Sequence, residues 1–193
     1  IVTAVLADYR GFDTLFETTV LFLSGLTTLM VLSTKEKISD KNRIDIIDDD
    51  NTFGSMIMDS AFRIVVPIII IYGIYVLIHG EISLGGGFQA GALLASAYLL
   101  DRIIPSFTSL IGYIAEEIAL IIAGVGVFIY AFTGILPMFN GGNFLEYGKL
   151  PFAAEAVADL HSTGILMIEI GVTVAVMGVI IAILEIVLDR TDI

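Results

Sequence analysis

The chain has 193 residues, of which 57% are hydrophobic and only 16% charged, with a mean hydropathy of +0.96. Soluble domains carry about 25% charged residues, so this balance excludes a disordered chain and argues for a membrane protein instead of an ordinary soluble domain. A formal charge of −12 argues against nucleic acid as a partner. The absence of cysteine excludes disulfides, iron–sulfur clusters and thiolate zinc sites. Two histidines, His79 and His161, are too few and too far apart to suggest a metal centre. No cofactor is expected on this chain, and any electron transfer nearby belongs to a partner.

Five apolar runs approach the roughly 20 residues needed to cross a bilayer as helix. The first extends from about Thr14 to Ser33 and carries Glu17. The second, Phe62 to Ile78, includes four consecutive isoleucines at 68–71. The third, Phe88 to Leu100, is short and rich in small residues (Ala90, Gly91, Ala92, Ala95, Ser96, Ala97). The fourth runs from Ile111 to Phe132 and the fifth from His161 to Leu188. The runs are continuous, not alternating, which favours helices over barrel strands. An all-α integral membrane bundle of about five spans follows.

Between the first two spans, Lys35 to Ser60 is the one long polar stretch, with Asp48, Asp49 and Asp50 in a row. It reads as a surface linker, or as a docking segment for a partner. If this stretch is cytoplasmic, Lys35, Lys37, Lys41, Arg43, Arg63, Arg102 and Arg190 gather on that side, leaving Arg10 and Lys149 opposite. Seven against two predicts a cytoplasmic C-terminus. The segment Gly134 to Ala158 holds Pro137, Gly141, Gly142, Gly148 and Pro151, so continuous helix is not expected there. Its Phe139, Phe144, Leu145 and Phe152 lie either on the membrane surface or among neighbouring helices.

The densest motif is His79-Gly80-Glu81-Ile82-Ser83-Leu84-Gly85-Gly86-Gly87-Phe88-Gln89-Ala90-Gly91, at the turn between spans two and three. No Lys-Ser/Thr pair follows, so it is not a phosphate loop. Three consecutive glycines permit a tight turn and close backbone approach. They equally permit a polar cavity lined by Gly85, Gly86, Gly87 and Gln89, since irregular backbone at membrane depth must be buried or hydrated.

That motif, with Pro67, Tyr72-Gly73 and Ala95-Ser96-Ala97, resembles the MnhB family of Mrp-type Na⁺/H⁺ antiporter subunits. Ala158-Asp159-Leu160-His161-Ser162-Thr163-Gly164 is similar to the start of that family's last helix. Upstream, the segment from Val5 to Glu17 is similar to the C-terminal tail of the large subunit of Mrp antiporters. The resemblance implies three parts: a tail-like segment with one span at 1–34, a linker at 35–59, and an MnhB-like domain with about four spans at 60–193. It also implies other Mrp-type membrane subunits as partners, in an antiporter or in an archaeal hydrogenase-type or sulfur-reducing complex, with Na⁺ or H⁺ as the transported ion.

The carboxylates point the same way independently. An ionisable side chain in mid-membrane costs about 2.5–3.5 kcal/mol on insertion scales and usually faces a cavity or partner. Glu17 lies inside the first span and Glu169 well inside the fifth, whereas Glu185, near its far end, is expected to reach the surface. Asp159, Ser162, Leu166 and Glu169 fall on one broad face of the fifth helix. The candidate ion route is therefore Glu17, Glu81, Asp159, His161 and Glu169; a structural hydrogen-bonded seam to neighbouring subunits is the alternative. The large antiporter subunits of such complexes carry a lysine within a broken helix, and no lysine lies within a span here, so the resemblance implies that this is not the pumping subunit itself. An intramembrane enzyme fares worst, lacking a nucleophile–base pair, metal cluster or cofactor motif.

Overall fold

The computed structural model describes residues 11–33, 52–80, 85–103, 111–152 and 156–191. These form five α-helices: α1 (Gly11–Ser33), α2 (Thr52–Ile78), α3 (Gly87–Ile103), α4 (Glu116–Ile135) and α5 (Val157–Thr191). Two short 3-10 helices, Leu136–Asn140 and Tyr147–Lys149, connect α4 to α5, and no strand occurs among the described residues. Four of the five helices, all but α3, are long and apolar enough to cross a membrane. With 17 residues, α3 is about 26 Å long at 1.5 Å per residue, just short of a full crossing.

α5 is the axis of the bundle. It packs chiefly against α4, then α3, then α1, while α2 sits outside on α3. Inside the bundle, 61% of the best apolar window of α5 is buried, against 11% for α1 and 17% for α2. The peripheral helices therefore offer most of their apolar surface outward (Phe16, Val20, Met30, Ile64, Ile68, Ile71).

Small residues set the closest contacts, as they do wherever helices pack without a hydrophobic driving force between them. Gly171, Ala175, Gly178 and Ala182 on α5 meet Ala119, Ala123 and Gly126 on α4 in an antiparallel seam. A methyl group on Gly126 would come within 2.3 Å of the Ala175 amide nitrogen, so the two backbones touch. α3 runs parallel to α5: Gly87 abuts Val172, Gly91 abuts Val176, and Arg102 reaches Glu185. α1 also runs with α5, Gly25 resting on Val179. α1, α3 and α5 thus point one way, and α2 and α4 the other.

Several boundaries differ from the sequence reading. Helix α2 begins at Thr52, so the last part of the expected linker is helical, and residues 34–51 lie outside the described part. α4 begins at Glu116, not Ile111, because α3 side chains take the preceding amides. Ile111 N donates to Asp101 Oδ2 at 3.0 Å and Ile114 N to the Tyr98 hydroxyl at 3.2 Å. Glu116 and Glu117 then occupy the first turn, where negative charge suits the helix dipole. The connection after α4 is part tucked and part exposed: Leu145, Tyr147 and Leu150 are buried, whereas Phe139 and Phe152 are exposed. Leu145 takes a left-handed backbone (φ 64°), and its amide bonds Gly134 O at 3.0 Å. Beside it, Glu146 accepts from Asn143 N (2.7 Å) and pairs with Lys149 (3.1 Å); these contacts hold its carboxyl below the usual carboxylate range.

Candidate functional site

The structure brings together two features that the sequence separates by more than 80 residues. The glycine-rich turn between α2 and α3 lies directly on the carboxylate of Glu169 in α5. A methyl group on Gly80 would sit 2.8 Å from Glu169 Oε2 and 3.2 Å from Oε1, and one on Gly86 would sit 3.6 Å from Oε1. Any side chain at Gly80 would displace the carboxylate, so the glycine is required there for space. Gly87 is equally constrained: its methyl would meet Glu169 O at 2.5 Å. The Gly87 carbonyl accepts from the Thr173 hydroxyl at 3.2 Å, and the same hydroxyl bonds Glu169 O at 2.8 Å.

Glu169 itself is buried, 4% exposed. It lies 12 residues along α5 from Val157, about 18 Å, so the turn and the ends of α2 and α3 stop well inside the length of α5. The expected stripe grades inward: Asp159 is exposed, Ser162 half-buried and Glu169 buried, with Leu166 exposed between them. Asp159 has a local duty as well. As the third residue of α5 it accepts from Ala156 N at 3.3 Å, the acidic half of a capping box. His161 turns to the α4–α5 connection, edge-on to Tyr147 with ring centroids 6.1 Å apart. Gln89 is exposed, its Oε1 3.1 Å from where a Gly86 methyl would be. Glu81 lies outside the described residues.

Glu17 is not part of this contact. It is exposed on α1, in an open and largely apolar groove lined by Phe16, Val20, Leu21, Ser24 and Phe88. Phe88 follows Gly87, so Glu17 and the glycine turn flank the first turn of α3.

Glu185 corrects the sequence reading. It does not reach the surface but is 2% exposed, and Arg102 grips it with two hydrogen bonds of 2.7 and 3.0 Å. The Tyr98 hydroxyl donates to Glu185 Oε1, and the Arg102 guanidinium lies 5.1 Å over the Tyr113 ring. This cluster ties α3, α5 and the lead-in to α4 at the end opposite Glu169, about 24 Å away along α5 (16 residues). Residues 83 positions apart carry no spacing signal, so the pair is not visible in the sequence. Among the described residues, no group of three His, Cys, Asp or Glu side chains is placed to hold a metal ion.

A bundle with four helices able to cross a bilayer and a buried carboxylate under a glycine turn defines a multi-pass membrane protein. Comparison with known proteins places it. Residues 57–182 match the family described as "Domain related to MnhB subunit of Na+/H+ antiporter", and the chain belongs to that family. A protein of Staphylococcus haemolyticus named as antiporter subunit mnhB2 is 30% identical over 131 residues, 68% of this chain and 92% of that protein. The corresponding protein of Staphylococcus aureus strain Newman is 25% identical over the same shares. Among solved structures, a chain of the membrane-bound sulfane sulfur reductase, an archaeal respiratory membrane complex, superposes with a TM-score of 0.73 at 28% identity. That match covers 97% of this chain and 77% of the other, so it takes in α1, which precedes the family match.

Proposed function

We propose that this chain is a membrane subunit of an Mrp-type cation/proton antiporter module that contributes to Na⁺ or H⁺ movement without a redox centre or catalytic site of its own. It works among other membrane subunits, as a member of a multisubunit antiporter family does. The observation that carries the transport role is Glu169, a buried carboxylate approached by a graded polar stripe and covered by the family's glycine turn. A carboxylate buried this deep in a span is costly unless water, a cation or a proton reaches it.

Asp159 and Glu169 form the entry and end of the route through this chain. His161 stands beside it, Gly85 to Gly87 shape its floor, and Glu17 serves a neighbouring surface. The segment leading into α1 resembles the tail of the large antiporter subunit, and the superposed respiratory complex includes α1 as well. Both support a host in which an antiporter-like module is joined to a redox arm. The C-terminus is cytoplasmic, in line with the seven-to-two bias of basic residues.

The test is the double variant Asp159→Asn, Glu169→Gln in the assembled complex. Ion transport in vesicles falls while assembly persists. Unchanged transport would leave the stripe as a structural seam and this chain as a connector between modules. For orientation, cysteines introduced at Ser39 and Thr191 are labelled from the same side of the membrane, and labelling from opposite sides refutes the assignment.

A further inference from the structure

α1 presents two different surfaces outward. One is large and apolar, with Phe12, Phe16, Leu23 and Met30 exposed, and it suits lipid. The other is a stripe of smaller and polar side chains. Asp13, Glu17, Val20, Ser24, Thr27 and Val31 are all exposed and follow one another at alternating intervals of four and three residues. At helical periodicity that spacing keeps them on one face about 80° wide. The stripe is about 27 Å long, nearly the thickness of the hydrocarbon core, and lies within the part of α1 able to span it. The exposed face of α2 carries no such pattern among the residues that stand out most, which are large and apolar (Ile64, Ile68, Ile71, Tyr72).

An unbroken alternation of threes and fours is the pattern along which a second helix packs. The composition fits that use, since helices in membranes meet through small and hydroxyl-bearing residues. Ser24 and Thr27 turn their hydroxyls back onto Leu21 O (2.7 Å) and Leu23 O (2.8 Å), leaving a low surface for a neighbour. Beside the stripe lies a groove with Phe88 of α3 on its far side. α1 and α3 both pack on α5 but hardly on one another, so this groove opens outward. On α3, Ala92 and Ser96, one and two turns beyond Phe88, are exposed and small, and the Ser96 hydroxyl is likewise folded onto Ala92 O at 2.8 Å.

Glu17 fixes the chemistry of the occupant. Its carboxylate is exposed on a spanning helix, in a groove whose other described lining residues, Phe16, Val20, Leu21, Ser24 and Phe88, are uncharged. A charge at that depth is costly against lipid and is met by a partner of opposite sign. A cover that runs the length of the stripe must also satisfy its own backbone, which within hydrocarbon means a helix.

Resting on the reading of this chain as one subunit among other membrane subunits, we propose that this face of α1 seats a transmembrane helix of a partner subunit, and that the helix carries a lysine or arginine level with Glu17. The two charges pair in the groove beside Phe88, while the partner's backbone comes close along Val20, Ser24 and Thr27.

The experiment places the photo-crosslinking amino acid p-benzoylphenylalanine at Phe16 and, in a second variant, at Val20, and irradiates the host complex in its membrane. Both variants should capture one partner subunit, at a membrane-spanning peptide that contains a lysine or arginine. Glu17→Lys should then lower retention of that subunit through detergent purification at least about tenfold, as loss of one member of a shielded charge pair does. Replacing the captured basic residue with Glu in the same complex should restore it. Capture confined to this chain's own residues, capture of a peptide without a basic residue, no protein capture from an intact complex, or undiminished retention in Glu17→Lys would each overturn the proposal. Should Glu17→Lys fail to insert, Glu17→Gln takes its place, with reduced retention expected and full retention overturning. None of these measurements reads ion flux, so their outcome is independent of the Asp159 and Glu169 double variant.

Discussion

Gly126 and Gly124 sit two residues apart on α4 and should respond oppositely to alanine. At Gly126 the added methyl would lie 2.3 Å from Ala175 N and 2.6 Å from Gly171 O. Backbone atoms cannot swing aside as a side chain can, so α4 and α5 must part by about 1 Å to restore ordinary contact. Overpacking of this kind costs about 2–3 kcal/mol, from which the better helix propensity of alanine returns about 1. At Gly124 the methyl would meet only the Phe22 ring, at 3.5 Å, an ordinary contact. There the propensity gain stands nearly alone. The two variants should therefore differ by about 2–3 kcal/mol, roughly a fifty-fold ratio of unfolding constants at about 1.4 kcal/mol per decade. SDS titration in mixed micelles, followed by tyrosine fluorescence, measures the difference on the assembled complex. Equal stability of the two would refute the claim that backbone contact between α4 and α5 holds the bundle together.

Replacing Arg102 with Gln leaves the Glu185 carboxylate buried without its guanidinium and should destabilise by about 2–4 kcal/mol, while Arg102→Met with Glu185→Leu recovers most of that; the same titration reads both. Tyr130→Phe removes the hydrogen bond to Gly11 O and should cost about 1 kcal/mol, seen as faster proteolysis at the start of α1 with the α4–α5 seam unaffected. Expressed without partner subunits the chain should aggregate in mild detergent, because α1 and α2 bury little of their apolar surface within it; a monodisperse monomer would contradict this.

Fold class was legible in the sequence because hydrocarbon allows so few answers. A spanning segment must satisfy its backbone internally, so continuous apolar runs declare themselves as helices, and five runs became five helices. The special character of Gly80 to Gly87 and of Glu169 was legible too. Glycines crowded at a turn and a carboxylate within an apolar run both violate local preference, and such violations need a tertiary reason. What the sequence left open was the partner of each. That Glu169 lies beneath Gly80 and Gly86, that Arg102 closes on Glu185, and that Tyr98 and Asp101 delay the start of α4 are facts of helix register and rotation. Those are set by which small residues permit two backbones to touch. Apolar periodicity is nearly silent about this in α5, because its surface is apolar almost all round and the pattern names no preferred face. Only the packed bundle, with α5 at its axis, chooses one.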